Sequence, residues 1–159
     1  DVHPYCSPWY SWLVMGRPVA YYFKRVGDKI YDVHAMGNPF LWWFSTGAIL
    51  VVFSRLFNRK ERVISAYLIC NYIANLLPWL KISRCTFLYH YMAAYSFTLI
   101  ALAWLLADGL ESSIPIYKNY SRSLIILIIF AFIHWLPIYL GIPLSVRDYY
   151  LRMIFPNWI

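Results

Sequence analysis

Four windows free of Asp, Glu, Lys and Arg limit what this chain can fold into: residues 33–54, 63–80, 85–107 and 123–146. A helix needs about 20 apolar residues to cross the hydrocarbon core of a bilayer, and each window is of that order. Trimmed of turn residues, the windows predict spans at about 39–56, 63–80, 86–107 and 123–142, with Asp108-Gly109 closing the third and Pro137 kinking the fourth. Helices joined by such short connections give an all-α integral membrane bundle of four transmembrane helices. Composition agrees: 62% of the 159 residues are hydrophobic and 13% are charged, where a soluble domain carries about a quarter charged residues. Such a surface cannot face water.

The net charge of +7 is modest, and the cations are scattered between apolar runs. They form no basic stripe or reading module, so nucleic acid is not an expected partner. Cations beside spans anchor topology and meet lipid headgroups. The chain starts at Asp1 with no Met or signal peptide before the apolar runs, and is read as part of a longer protein. Cys6, Cys70 and Cys85 show no metal-ligand spacing and no even framework. Cys70 reads as packing. Cys6 and Cys85 can share a membrane face, but spacing does not pair them.

Residues 1–32 are aromatic and interrupted by Pro4, Pro8, Gly16 and Pro18, too polar to span. Trp9, Tyr10, Trp12, Tyr21, Tyr22 and Phe23 alternate with Arg17, Lys24 and Arg25, a mixture suited to the headgroup level. The expectation is an interfacial amphipathic helix at about 9–24. Gly37-Asn38-Pro39 then marks a turn before the first span. The domain reading is an outer-face interfacial segment, 1–38, followed by a four-helix transmembrane region, 39–159, ending in a short outer-face tail.

Arg55, Arg59, Lys60 and Arg62 make the loop after the first span the most basic, with Glu61 alone against them. The positive-inside tendency places that loop in the cytoplasm. Residues 1–32, the 81–84 hairpin and the C-terminal tail then share the outer face. The Asn119-Tyr120-Ser121 sequon falls on the inner side and reads as chance.

Lys81 and Arg84 flank the short outer hairpin. They read either as snorkelling anchors or as a clamp on a lipid-linked phosphate, since guanidinium holds two phosphate oxygens and ammonium acts as a point charge. His90 follows between Tyr89 and Tyr91, one to two turns inside the next window. An ionisable group there usually faces a polar cavity or partner. It can donate to a phosphate leaving group or orient a carboxylate. His134 reads as a packing hydrogen-bonder across helices, and His3 and His34 need no special account. Asn71 and Asn75 share one face of the second span, as glue or as cavity lining. No metal site, no cofactor motif and no buried carboxylate pair is evident, so no catalytic base is assigned within this stretch.

Three ordered motifs resemble one family. Leu77-Pro78-Trp79 through Ser83-Arg84, then Phe87-Leu88-Tyr89-His90-Tyr91, resembles the "LPF…R..FLHHYLPA" stretch of protein O-mannosyltransferases. Pro8-Trp9-Tyr10-Ser11-Trp12 with Arg17-Pro18-Val19-Ala20-Tyr21-Tyr22 is similar to their "W.SWPL..RPV.YY" segment, and Gly37-Asn38-Pro39 with Trp42-Trp43 to their "GNP..WW". The whole chain resembles the C-terminal four-helix membrane region of that family. One departure is Met92-Ala93-Ala94 where the family commonly has Leu-Pro-Ala, which should straighten the third span.

The resemblance implies part of a C-type glycosyltransferase fold. It implies transfer of mannose, with inversion, from a polyprenyl (dolichyl-type) phosphate to Ser or Thr hydroxyls of proteins, on the outer or lumenal face. The family's acidic pair lies in the N-terminal half of the enzyme, which would be the partner of this region, and residues 1–159 alone should be inactive. The donor-phosphate and lipid-binding positions implied here are Arg84, His90, Lys81, Tyr89 and Tyr91. The soluble insertion of eukaryotic members is not seen, which suggests a bacterial plasma membrane with the active face outward; in a eukaryote it would be the endoplasmic reticulum, lumenal face. Two other readings stand beside this one: a transferase of the same fold using another lipid-linked sugar, and a non-catalytic tetraspan module for assembly or transport. A solute carrier would repeat polar residues through several spans; here they gather toward the outer face, apart from Asn71, Asn75 and His134.

Overall fold

The computed structural model describes residues 3–159. Four long helices form an antiparallel bundle: α2 (Pro39–Arg55), α3 (Arg62–Leu76), α4 (Met92–Glu111) and α5 (Pro115–Leu140). One-turn α1 (Trp9–Trp12) and strands β1 (Val19–Val26) and β2 (Lys29–Ala35) precede them; β3 (Leu144–Ser145) and α6 (Val146–Arg152) follow. A 3₁₀ turn, Leu77–Lys81, prolongs α3, and another, Leu88–Tyr91, leads into α4. Three stretches are long and apolar enough to cross a membrane: Arg62–Lys81, Leu88–Glu111 and Pro115–Leu140. Helix α2 is apolar too, but only 17 residues long.

The expected interfacial helix at 9–24 is replaced by α1 and an antiparallel hairpin, so the fold is mostly helical rather than all-α. The reason is local. Residues 19–26 are rich in β-branched and aromatic side chains, which favour strands, and Gly27-Asp28 forms a two-residue turn with Gly27 at φ +62°. Ile30, Asp32 and His34 alternate inward along β2, the period-2 pattern of a half-buried strand. β3 adds to β2 from the other end of the chain. The expected outer tail is therefore folded in. Trp158 is fully buried and its indole N–H donates to the Met15 carbonyl, 2.8 Å.

The Gly37-Asn38-Pro39 motif with Trp42-Trp43 has a packing role. Gly37 passes so close to the Trp42 indole that a Cβ there would collide with it. The Asn38 side chain caps α2 by accepting from Leu41 N–H, 3.2 Å, and donates to the Ile128 carbonyl on α5, 2.8 Å. Pro39 opens the helix where its missing N–H costs nothing. Trp42 and Trp43 donate to the carbonyls of Trp12 and Val14, 2.8 and 2.9 Å, and so bind the N-terminal segment to the bundle.

At the opposite end Arg55 pairs with Glu61, 3.0 Å, and with Asp108, and lies over the Trp104 ring. Asp108, which closes the third charge-free window, thus ties α4 to α2. Helix α4 runs past Asp108-Gly109 to Glu111, and Gly109 lets Ser121 of α5 come close: a Cβ on Gly109 would strike Ser121 Oγ. Gly109→Ala should therefore destabilise the protein by about 1–3 kcal/mol through overpacking at this crossing. A thermal shift in detergent checks this, and Ser121→Ala in the same chain should recover part of the loss.

Candidate functional site

The hairpin between α3 and α4 lies on the same end of the bundle as the sheet, residues 3–18 and the C-terminal tail. Residues 82–87 have no regular structure. Lys81 and Arg84 are exposed there, and neither has a carboxylate partner among the described residues. Arg84 lines a groove of about 590 Å³ walled by residues 6–8 on one side and 82–86 on the other, with His3 at its edge.

The N-terminal segment makes the second wall. Cys6 and Cys85 are joined in a disulfide, 79 residues apart in sequence. Beside it Ser7 N–H donates to the Thr86 carbonyl, 2.8 Å, and Thr86 Oγ1 donates to the Ser7 carbonyl, 2.8 Å. Trp12 Nε1 donates to Ser7 Oγ, 2.9 Å.

His90 does not share the groove with Arg84. Its Nδ1 lies 3.0 Å from both the N–H and the carbonyl oxygen of Phe87, which ties the ring to the start of the turn. The ring sits in an aromatic box: stacked 6.0 Å from Trp12 and 4.7 Å from Tyr89, with Trp79 edge-on at 4.5 Å. Tyr89 is exposed and stacks on Phe87 as well as on His90. Tyr91 points the other way. It has no exposed surface, and its hydroxyl meets that of Tyr72, 3.2 Å, in the helix core, where the ring packs on Trp42. The 3₁₀ turn explains this split, since a 3₁₀ helix places residues 120° apart.

Asn71 and Asn75 donate to the carbonyls of Tyr67 and Asn71 in their own helix, both at 2.8 Å; the sequence alone left their role open. His134 is exposed beside Trp135.

Two features escaped the sequence reading. His3 joins Arg84 at the groove because the disulfide brings residues 3–7 there. His34 is buried, with Nδ1 2.7 Å from the Asp32 carboxylate and both side chains 1% exposed. Tyr149 of α6 covers this pair, and burial followed by the nearby Asp32 charge raises its phenol pKa. Reading 29–35 as a strand would have placed Ile30, Asp32 and His34 on one face.

Residues 1–158 match the family described as the C-terminal four TMM region of protein-O-mannosyltransferase. The chain belongs to the protein-O-mannosyltransferase family. It is 27% identical to the polyprenol-phosphate-mannose–protein mannosyltransferase of Corynebacterium glutamicum over 98% of its length, and 20% identical to dolichyl-phosphate-mannose–protein mannosyltransferase 5 of Candida albicans over 98%. It spans only 32% and 25% of those proteins. In fold it matches, over 100% of its length and 24% of the other chain, the S. cerevisiae protein O-mannosyltransferase Pmt1-Pmt2 complex bound to the sugar donor, with TM-score 0.79 and 21% identity. Within the motifs quoted from the sequence, Trp12, Trp42, Trp43 and Trp79 pack segment 3–18 onto the hairpin and α2.

Proposed function

We propose that this region forms the donor side of a membrane mannosyltransferase that moves mannose from a polyprenyl phosphate to Ser or Thr hydroxyls of proteins, with inversion. The observation that carries the reading is the packing of the N-terminal motif segment against the hairpin, which leaves Arg84 in a groove with no ion pair among the described residues, while His90 is held nearby in the same hairpin by Trp12, Trp79 and Phe87. A dianionic or monoanionic phosphate ester at the membrane surface is the natural partner of such a guanidinium.

In this reading Arg84 and Lys81 engage the donor phosphate. Tyr89 and His90 form the neighbouring wall toward the lipid, and Tyr91 holds the 3₁₀ turn from below. The acceptor base and remaining catalytic groups belong to the N-terminal half of the enzyme. All four long helices, α2 included, serve as spans of a C-type glycosyltransferase fold, with 1–38 as the outer-face segment and 39–159 as the transmembrane region. Disulfides persist in oxidising compartments, so the Cys6–Cys85 end faces outward or into a lumen. Arg59, Lys60 and Arg62 at the other end agree with a cytoplasmic loop.

The test uses the full-length protein in proteoliposomes with polyprenyl-phosphate mannose and a Ser/Thr acceptor peptide. His90→Ala should lower transfer by about tenfold by freeing the turn and the Trp12 stack. Residues 1–159 alone should transfer nothing. Wild-type rates in His90→Ala and Arg84→Ala, both normally folded, would exclude the site. Faster use of a different lipid-linked sugar would keep the site but change the donor.

A further inference from the structure

The groove at Arg84 is closed by one covalent bond. Its two walls come from the N-terminal segment and from the middle of the chain, 79 residues apart at the bridge, and residues 82–87 have no helix or strand to stiffen them. Lys81 at the end of one 3₁₀ turn and Leu88 at the start of the next hold the loop at its ends. Among the described residues, one covalent bond and two hydrogen bonds bind it to the N-terminal segment: the Cys6–Cys85 bridge and the reciprocal hydrogen bonds of Ser7 with Thr86. Arg84 is the residue next to the bridge, exposed, with no ion pair of its own among the described residues.

We infer that Cys6 and Cys85 are positioning residues for the donor phosphate: their bridge holds the Arg84 loop at the spacing the phosphate requires. The inference rests on the donor-site reading above. It also assigns the bridge a task that the fold does not need. Segment 3–18 is already bound to the bundle by Trp42 and Trp43 and to the C-terminal tail by Trp158, which donate to the carbonyls of Trp12, Val14 and Met15. Opening the bridge therefore leaves the bundle, the sheet and α1 in place and frees chiefly residues 3–7 and 82–87. A loop freed in this way samples many guanidinium positions, and binding must then order it again. The effect falls on donor affinity before it falls on turnover.

His3 follows from the same bond. It is held at the groove by its position three residues before Cys6, with the Cys6 N–H donating to the His3 carbonyl, 2.9 Å, and its ring edge-on to Phe87, 5.2 Å. Opening the bridge releases it together with Arg84.

The experiment treats folded full-length enzyme in proteoliposomes with TCEP, which takes the bridge to two thiols and is itself oxidised to the phosphine oxide. Donor KM and kcat are measured before and after, alongside the Cys6→Ser/Cys85→Ser variant. The expected result is a KM for polyprenyl-phosphate mannose raised by about tenfold in both, with kcat changed by no more than about twofold. TCEP should have no effect on the double variant, and reoxidation should restore the treated wild type. In Arg84→Ala enzyme, reduction should add no further rise in KM, an outcome that a purely structural bridge would not give.

Unchanged donor KM after complete reduction, verified by alkylation and mass, overturns the inference. So does a fall in kcat alone. If Arg84→Ala itself leaves KM unchanged, the donor-site reading fails first. If Arg84→Ala raises KM while reduction does not, only the positioning role fails.

Discussion

Arg84→Ala should lower kcat/KM for the lipid donor by about 10- to 100-fold, the loss expected when a charge-assisted hydrogen bond worth ~1.5–3 kcal/mol is removed. The change should appear mainly in donor KM, because the phosphate is present in both ground and transition states. Arg84→Lys should recover part of the loss: it keeps the charge and loses the planar fork that grips two oxygens. Lys81→Ala should have a smaller effect, since a point charge at the mouth adds attraction without geometry. Stability should change by less than about 0.5 kcal/mol in each, as expected for exposed positions, because neither side chain has a carboxylate partner among the described residues. Full donor affinity in a folded Arg84→Ala enzyme would remove the phosphate clamp from consideration.

Trp12→Ala should be the most damaging substitution for the fold near the site. The side chain is 0% exposed, packs edge-on to Trp79 at 5.6 Å and stacks on His90. Removing a buried Trp costs about 3–5 kcal/mol. The bond from Trp42 survives, because it goes to the Trp12 backbone carbonyl, so the segment stays attached while its centre is hollow. Trp12→Phe separates the two contributions. It keeps most of the ring but leaves Ser7 Oγ without the indole donor, and should cost about 1–2 kcal/mol more than the lost area implies. Thermal unfolding in detergent reads both variants. A Trp12→Ala protein within about 1 kcal/mol of wild type would show that segment 3–18 is not part of the cooperative unit.

Much of the architecture was legible without coordinates because lipid is an undemanding solvent to read: charge-free windows of membrane length can be counted. All four windows became long helices, although α5 begins at Pro115 and α3 and the approach to α4 include 3₁₀ turns. The N-terminal segment was misread. Its aromatic and cationic residues fit a membrane surface equally well as helix or strand, and the deciding signal was the two-residue Gly27-Asp28 turn between runs that favour strands. The candidate site was half legible in its placement. Arg84 and His90 stood out as ionisable groups near an interface, but sequence could not say that a 3₁₀ turn sends Tyr91 into the core and Tyr89 to the surface. Nor could spacing set His90 apart from the groove that Arg84 lines.

Composition and window length alone determined that this chain is a helical membrane bundle, and the order of three short motifs determined its family. Those are properties of local sequence read against a solvent of known thickness. What only the tertiary structure decided is where the two ends of the chain meet. The Cys6–Cys85 bond, the Ser7–Thr86 pair and the union of β3 with β2 join residues more than 70 positions apart. No local preference encodes such contacts: they exist because α2 and α3 return the hairpin, and α4 and α5 the tail, to the face where the chain began.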